Sequence, residues 1–321
     1  MLTERLGATT RDGWRLDLKR TWSAAHLRPG SRPVLIVPGY GMNAFIFGFH
    51  PRGTSLERCL AEQGLEVWSV NLRGQGGSCP LRRDAPGPSL RAHAEEDLEA
   101  ALAAVLQHSR TGAERVDVIG CSLGGSLVYA HLALCPGHRV GALVAVGAPL
   151  RWVGVPRVVR LLASPQLVGA LRLGGTRRLA AVGLRLAGRV PGLLSVYMNP
   201  RHVDLAAAGQ LVQTVEDPAP GTTRDIAQWV RSGDLWLRGI NITEAMRRVD
   251  RPLLLVVSNR DGIVPEAAAL SAAQVWGGPN VQVLRVGDEQ DWFAHADLFI
   301  ADAAPERVFA PMARWLCAQG S

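Results

Sequence analysis

The chain contains 321 residues, of which 47% are hydrophobic and 20% are charged, and its formal net charge is +7. This composition is typical of a globular protein, and the length suffices for one large α/β domain or for a core domain with a substantial insertion. A nucleic-acid-binding protein would need basic residues interleaved with aromatic ones or a known binding module. Neither is visible in the sequence, so we expect no nucleic-acid partner.

The cysteines and the apolar runs exclude further classes of protein. The chain has five cysteines, an odd number without CxxC spacing, which argues against a disulfide framework and against a zinc site. The first residues lack the apolar segment of a secretory signal, and no apolar run approaches the roughly 20 residues of a membrane span. We therefore expect a cytoplasmic protein without a metal or an organic cofactor.

Strand-like and helix-like stretches alternate along the chain. Strands are predicted at 14–22, 33–40, 65–72, 115–122, 141–149, 252–261 and 280–287. Helices are predicted at 55–64, 91–109, 126–134, 265–276 and 305–318. Most of the strand-like runs are apolar throughout, as strands covered by helices on both faces must be. The alternation predicts a doubly wound, mostly parallel α/β sheet, in which ligands bind beyond the carboxyl ends of the strands.

One long segment interrupts this alternation. Residues 150–248 contain no convincing strand and several helix-like stretches, and the segment is too long for an ordinary loop. We therefore expect a helical cap, or lid, over 150–248, inserted into a core formed by 1–149 and 249–321.

The stretch IGCSLGG places two potential nucleophiles side by side. A nucleophile on a sharp strand-to-helix turn crowds the residues two positions before and after it, so both must be small. With Ser122 at the centre these positions are both glycine, whereas with Cys121 they are Ile119 and Leu123, which are too large. The spacing therefore favours Ser122 as the nucleophile over Cys121, and over a glycine-rich turn with an incidental serine.

A serine nucleophile needs a base that takes its proton. Where a serine nucleophile lies on such a strand-to-helix turn, the acid and then the histidine follow it along the chain. Two histidines lie at a plausible distance after Ser122: His202 within the predicted cap, and His295 shortly after the last predicted strand. His295 is the candidate base, because a loop at the end of the sheet brings it over Ser122. The alternative is a surface histidine beside Asp297.

The acid that orients this histidine is expected after a late strand. Asp261 ends the strand-like run 252–261 and is the candidate, although an Asp-Gly pair also occurs in ordinary turns. Asp288 and Asp291 are weaker candidates in the loop that leads to the histidine. Asp297 is too close to His295 along the chain to be the first choice.

Acyl transfer also requires two N–H groups aimed at the developing oxyanion. One is the amide that follows the nucleophile, that of Leu123. The other is expected in the turn Gly39-Tyr40-Gly41 after the first parallel strand, where we select the amide of Tyr40. An ordinary glycine turn is the alternative at this position.

Across nearly its whole length the chain resembles the α/β-hydrolase superfamily. The stretches that carry the resemblance are DGWRLDLKR, VLIVPGYGMN, GLEVWSVNLRGQGGS, GCSLGG, SNRDGIVP and HADLFIADAAPERVFAPMARWL. The first, the third and the last are similar to the acid-lipase branch. The polyhydroxyalkanoate-synthase-like branch has a similar layout but carries cysteine at the centre of its elbow, where this chain has Ser122. A second departure is Pro38, where many relatives have histidine before the oxyanion glycine.

The predicted cap is rich in arginine and leucine. Between 151 and 201 it has nine arginines and no acidic residue, the arginines being at 151, 157, 160, 172, 177, 178, 185, 189 and 201. Basic amphipathic helices are typical of lids that face lipid, and equally of surface helices that pack leucines inward. The first interpretation predicts an apolar acyl substrate and contact with a membrane or lipid surface.

The residues together predict a serine hydrolase of carboxylic esters that works through a Ser-His-Asp triad and an acyl-enzyme. An acyltransferase that passes the same acyl group to an alcohol or thiol is an alternative that the triad does not distinguish. A third alternative is a non-catalytic binding protein, whose expected signature is loss of a triad member, and all three are present.

Overall fold

The structure is a computed structural model that describes residues 1–155, 174–187 and 194–319, with residues 185–187 described by their backbone alone. Eleven strands lie in the described ranges: β1 Leu2–Thr9, β2 Trp14–Trp22, β3 Val34–Val37, β4 Val67–Asn71, β5 Cys79–Pro80, β6 Val116–Cys121, β7 Val140–Val146, β8 Trp236–Leu237, β9 Ile240–Asn241, β10 Leu253–Ser258 and β11 Val281–Val286.

Eleven α-helical segments lie in the same ranges: α1 Leu56–Glu62, α2 Leu90–Ala92, α3 Leu98–His108, α4 Leu123–Leu134, α5 Thr176–Ala187, α6 Ala208–Leu211, α7 Pro220–Ser232, α8 Ile242–Ala245, α9 Glu266–Ala269, α10 Asp297–Ile300 and α11 Ala310–Gln319. Shorter 3-10 turns include Ala44–Gly48 and Val212–Thr214, and π-helical turns span His93–Asp97 and Pro305–Phe309. None of the described helices is both long enough and apolar enough to cross a bilayer.

The main sheet has the order β1-β2-β4-β3-β6-β7-β10-β11, with β5 paired to β2. All neighbours from β4 to β11 run parallel, and β1 and β2 are antiparallel additions. The inner strands β3, β6, β7 and β10 are buried at every position, because helices cover both faces. The predicted doubly wound, mostly parallel sheet is confirmed.

The sequence interpretation missed the short strand β5, the edge strand β1 and the hairpin of β8 and β9. β1 pairs with β2 along its whole length, yet its residues are mostly exposed and form no apolar run. β8 and β9 form a small hairpin within the segment that was predicted to be helical. Its turn has positive φ at both Arg238 (53°) and Gly239 (76°), as a type I′ turn requires. Arginine is an unusual residue there, so the turn lacked a sequence signal.

The strand order places a crevice between β3 and β6. From β3 the chain proceeds outward to β4 on one side, and β6 lies on the other side. The connections that leave β3 and β6 therefore diverge, and they open a crevice at the carboxyl ends of these two strands. The residues that follow β3 and β6 include Tyr40 and Ser122, which the sequence analysis had selected for chemical roles.

Candidate active site

Ser122 lies at the turn between β6 and α4. Its backbone has φ 52° and ψ −121°, and among the described non-glycine residues only Ser122 and Arg238 have positive φ. Such a conformation is unfavourable for a residue with a side chain and persists only where the surroundings enforce it. The serine is thereby presented at the carboxyl edge of the sheet instead of continuing the strand or the helix.

The glycines around Ser122 are required by close backbone contacts. A Cβ at Gly124 would overlap the carbonyl oxygen of Val37 and lie 2.7 Å from that of Pro38. A Cβ at Gly120 would lie 2.6 Å from the backbone nitrogen of Gly125. The crowding that was predicted two residues before and after the serine is therefore a property of this turn.

Cys121 has a different environment from its neighbour. Its side chain is fully buried among the apolar residues on one face of the sheet. Burial raises the pKa of the Cys121 thiol well above its ordinary value, since the thiolate would lose its hydration. A buried, protonated thiol packs as a small apolar side chain and is a poor nucleophile.

His295 and Asp261 are hydrogen-bonded to each other. The Nδ1 atom of His295 lies 2.6 Å from Oδ2 of Asp261, and only 12% and 4% of the two side chains are exposed. The other carboxylate oxygen accepts hydrogen bonds from the backbone N–H groups of Ile263 and Val264, both at 2.8 Å. Because a carboxylate only accepts, Nδ1 carries the proton and the lone pair of the neutral ring is on Nε2.

Ser122 and His295 line the same cavity. Gly147, with φ 56°, lies beneath the imidazole, and a Cβ there would be 3.1 Å from Cε1 of His295. A larger residue at this position would displace the ring. The hydrogen bonds of the described residues join the ring to Asp261 and include none between the ring and Ser122. Catalytic hydrogen bonds are often long without substrate and shorten when it binds.

The alternative histidine and two of the alternative acids lie in a separate cluster. Nε2 of His202 is 2.7 Å from Oδ1 of Asp291, whose other oxygen pairs with Arg307 at 2.7 Å. Asp288 accepts hydrogen bonds from the backbone of Gln290 and Asp291, and so closes its own turn. The side chains of His202, Asp288 and Asp291 are therefore all engaged in hydrogen bonds or ion pairs of their own.

Asp297 supports the loop that carries the histidine. This buried carboxylate accepts hydrogen bonds from the backbone N–H of Ala294 at 2.7 Å and of Asn199 at 2.8 Å. Burial raises its pKa to about 7, and the backbone hydrogen bonds partly oppose that rise. The sequence analysis had set Asp297 aside as an acid and had not assigned it this positioning contact.

The two candidate oxyanion donors lie on either side of the elbow. Leu123 is the first residue of α4, where backbone N–H groups have no intrahelical acceptor. Tyr40 lies in the turn after β3, and this turn approaches the elbow closely: a Cβ at Gly39 would lie 3.1 Å from Cβ of Ser122. The hydroxyl of Tyr40 shares a 2.7 Å hydrogen bond with Thr223 in α7.

The turn after β3 is hydrogen-bonded to a distant segment. The N–H of Glu216 donates to the carbonyl of Gly41, and the N–H of Asn43 donates to the carbonyl of Thr214, both at 2.8 Å. The side-chain amide of Asn43 donates to Gln213 at 2.9 Å and to the carboxylate of Glu216 at 2.6 Å. Residues 213–216, from the segment predicted to be the cap, thus hold the backbone of the candidate oxyanion turn.

A cavity of about 410 Å³ opens beside Ser122. Its lining is almost entirely apolar, and the described lining residues are Tyr40, Gly41, Met42, Ile46, Cys121, Ser122, Ala180, Gly183, Leu184, Leu194, Tyr197, Met198, Leu211, Thr214, Val215, Ile263, His295, Ala296, Phe299 and Ile300. Helix α5 contributes Ala180, Gly183 and Leu184, whereas its Leu179 is 66% exposed on another face. The described wall of the cavity therefore suits an apolar group next to the serine.

The arginines of the predicted cap are only partly described. Those at 157, 160, 172 and 189, with the side chain of Arg185, lie outside the described residues. Arg151 pairs with Asp234 at 2.7 Å, and Arg177 donates to the carbonyl of Val215 at 3.0 Å. At least these two arginines therefore bind the protein itself.

Comparison with known proteins agrees with this geometry. Residues 32–295 match the family described as the alpha/beta hydrolase fold. The chain therefore belongs to the α/β-hydrolase family, as the sequence motifs predicted. Among curated proteins, a homoserine O-acetyltransferase from Deinococcus radiodurans is 38% identical over 104 residues. That match covers 32% of this chain and only 28% of the relative.

Solved structures with the same fold differ in chemistry. A thermophilic esterase from Thermogutta terrifontis has a TM-score of 0.59 and 18% identity, with 99% of this chain and 100% of that chain covered. An esterase from Exiguobacterium antarcticum has a TM-score of 0.61 and 16% identity, with 98% and 100% covered. A bromoperoxidase from Bacillus anthracis has a TM-score of 0.59 and 15% identity, with 98% and 100% covered. At such low identity these likenesses establish the fold alone.

Proposed function

We propose that this protein is a serine hydrolase that cleaves carboxylic esters with apolar acyl groups. The observation that carries the proposal is the hydrogen-bonded pair of His295 and Asp261 together with a strained Ser122, where His295 and Ser122 line one apolar cavity. A nucleophile, an oriented base and an apolar binding space are the components that ester hydrolysis requires.

In the proposed reaction, Ser122 Oγ attacks the ester carbonyl and Nε2 of His295 takes its proton. Asp261 holds the ring in the tautomer with the proton on Nδ1 and stabilises the imidazolium that forms. The N–H groups of Tyr40 and Leu123 donate to the oxyanion of the tetrahedral intermediate. The imidazolium then protonates the leaving alcohol. Water, deprotonated by the same histidine, releases the carboxylic acid from the acyl-enzyme. No metal or organic cofactor takes part.

Residues 150–248 are proposed to act as a cap over a core of 1–149 and 249–321. Helix α5 supports this assignment, because Ala180 and Leu184 cover the cavity that Ser122 opens into. On another part of the same helix Leu179 and Val182 are exposed, and so is Arg178, which directly precedes Leu179 and lies four residues before Val182. An exposed face that combines leucine, valine and arginine supports contact with a lipid surface.

The test is hydrolysis of a chain-length series of p-nitrophenyl esters by the wild type, Ser122→Ala and Cys121→Ala. We expect Ser122→Ala to lose nearly all activity and Cys121→Ala to keep most of it, because the Cys121 side chain is fully buried in the core. If Cys121→Ala is the inactive variant, the assignment of the nucleophile is wrong. If the folded wild type cleaves no ester of the series, ester hydrolysis is not its activity.

A second candidate function is acyl transfer to an alcohol or thiol. The local similarity to a homoserine O-acetyltransferase favours it, although that match spans little more than a quarter of the relative. The acyl-enzyme is the same, and only the acceptor differs. Adding alcohol and thiol acceptors to the ester assay distinguishes the two functions, since a transferase forms the new ester or thioester faster than it forms free acid.

A further inference from the structure

Three side chains of metal-binding type meet at the opposite end of α4 from Ser122. Glu99 lies in the first turn of α3, His131 in the last turn of α4 and Cys135 directly after α4. Their ligand atoms all lie within 4.8 Å of one another. The three residues belong to none of the interactions proposed for catalysis, so the cluster requires a separate explanation.

The protonation of His131 is fixed by its surroundings. The ring is fully buried, and Nδ1 lies 2.8 Å from the carbonyl oxygen of Ala94 in the π-helical turn before α3. A carbonyl only accepts, so Nδ1 carries the proton and Nε2 carries a lone pair. A neutral imidazole whose other nitrogen donates to a carbonyl is the form found in metal-binding histidines.

The Nε2 atom of His131 is buried and has no hydrogen-bond partner among the described residues. It lies 4.0 Å from the nearer oxygen of Glu99, which is too far for a hydrogen bond. Buried polar atoms without partners are rare in proteins, and each one requires an explanation such as a bound water or ion. The lone pair lies on the same side as the carboxylate and the thiol, where a cation would contact all three groups.

The charges around Cys135 also favour a cation. The negatively charged carboxylates of Glu99, Glu95 and Glu96 lie near this thiol, and together they attract a positive ion. The opposing charge is Arg11, which forms an ion pair with Glu96 at 3.2 Å. The side chain of Glu99 is 41% exposed, so an ion has a path from solvent.

We propose that Glu99, His131 and Cys135 form a binding site for a divalent metal ion, and that Zn²⁺ is the ion that fits. Thiolate, imidazole and carboxylate groups are the zinc ligands of proteins, and each ligand atom lies about 2.0–2.3 Å from the metal. In a tetrahedral site the ligand atoms are therefore roughly 3.5 Å from one another. Small side-chain rotations bring the three groups to that spacing. Binding replaces the thiol proton by the metal and releases this proton to solvent, and water completes the fourth position.

The ion would join α3 to α4, the helix that begins directly after Ser122. Metal binding is therefore expected to stabilise the packing that supports the nucleophile turn, without taking part in the reaction. The sequence analysis argued against a zinc site because no two cysteines have CxxC spacing, and the ligands proposed here are a single cysteine, a histidine in α4 and a glutamate in a different helix, α3. The proposal stands or fails independently of ester hydrolysis.

The test is metal binding by the full chain after removal of bound metal with a chelator. Zn²⁺ affinity is measured by competition with a chromophoric chelator for the wild type, Cys135→Ser, Glu99→Gln and the control Cys317→Ser. The wild type and the control are expected to bind one equivalent with equal affinity. Cys135→Ser is expected to bind at least about tenfold more weakly, since a ligand is lost. Equal affinity for Cys135→Ser and Cys317→Ser would overturn the proposal.

Co²⁺ provides a readout that is specific for the thiolate. The wild type and Cys317→Ser are expected to show the sulfur-to-cobalt charge-transfer absorption, and Cys135→Ser is expected to lack it. Melting temperatures of the metal-free proteins establish that each variant is folded. Added Zn²⁺ is expected to raise the melting temperature of the wild type and of Cys317→Ser, but not that of Cys135→Ser. Absence of the thiolate band from the folded wild type would also overturn the proposal.

Discussion

The imidazole of His295 and the carboxylate of Asp261 lie 2.6 Å apart, although 34 residues separate them along the chain. They follow neighbouring parallel strands, since β10 pairs with β11. The carboxyl ends of adjacent parallel strands lie at the same edge of the sheet, so the strand order alone brings the two loops together. The contact orients the ring through Nδ1 and leaves Nε2 available for the proton transfer that is proposed for Ser122.

Replacement of Asp261 by asparagine tests this orientation. An asparagine keeps an oxygen for the N–H groups of Ile263 and Val264 but presents an NH₂ group to the histidine, which favours the tautomer with the proton on Nε2. We expect kcat to fall by about 10⁴-fold, as for the same exchange in serine proteases, with little loss of stability. The measurement is ester hydrolysis together with thermal unfolding.

The control for Asp261→Asn is Asp291→Asn, which changes the acid paired with His202. It is expected to keep activity within a few-fold of the wild type. If Asp291→Asn is the inactive variant and Asp261→Asn is active, the two His–Asp pairs have been assigned the wrong roles.

Replacement of Gly124 by alanine tests the tight elbow. The new Cβ would overlap the carbonyl oxygen of Val37, so the turn after β3 or the start of α4 must shift. We expect a loss of about 1–3 kcal/mol in the free energy of unfolding. Gly137→Ala is the matched control, because a Cβ there meets nothing within 4 Å. It is expected to change stability by less than about 0.5 kcal/mol. Equal stability of the two variants in urea unfolding would contradict the packing argument.

Replacement of Ala180 by phenylalanine tests the acyl cavity. Ala180 lines the cavity of about 410 Å³, and a phenyl group there occupies space that a long acyl chain needs. We expect kcat/KM for long-chain esters to fall at least about tenfold, which corresponds to a loss of about 1.4 kcal/mol in binding. We expect little change in kcat/KM for acetyl esters. Leu179→Phe, at the exposed neighbouring position, is the control. A uniform fall across all chain lengths would point to a disturbed helix instead of a filled cavity.

The buried carboxyl of Asp297 predicts a pH dependence of stability. Burial raises its pKa from 3.8 to about 7, so between these values the folded protein binds a proton that the unfolded chain has released. The stabilisation is complete below about pH 4 and is lost as the pH rises through about 7. We therefore expect this group to lower the free energy of unfolding from pH 5 to pH 8. Urea unfolding of the wild type and Asp297→Asn measures the contribution, and an identical pH profile in both proteins would rule it out.

Much of the fold could be predicted from local patterns, because the buried parallel strands are apolar throughout and helix-like stretches alternate with them along the chain. The sharp turn at Ser122 could also be predicted, because the crowding there requires glycine at positions 120 and 124, which is visible in the sequence. The mostly exposed edge strand β1 left no such signature. The hairpin of β8 and β9 was missed because its turn uses Arg238 in a conformation that favours glycine or asparagine.

The parts of the site that depend on residues far apart in the chain were harder to predict from the sequence. Sequence order proposed Asp261 over its competitors, but only the strand order shows that its loop meets that of His295. The contact of Asp297 with Asn199 joins positions 98 residues apart, and the bond from Asn43 to Glu216 spans 173 residues. Side-chain hydrogen bonds of this kind follow no periodicity, so the pattern of residue types does not reveal them.

The bonds from Asn43 and Gly41 to residues 213–216 connect a segment that lines the cavity to the turn that carries the proposed oxyanion donor Tyr40. Any outward movement of 213–216 that admits a substrate breaks the bonds that hold the backbone next to Tyr40. The proposed donors to the oxyanion are then complete only while this segment is seated against the turn after β3. In the proposed enzyme, a position of residues 213–216 away from this turn would therefore leave the charge-stabilising site incomplete.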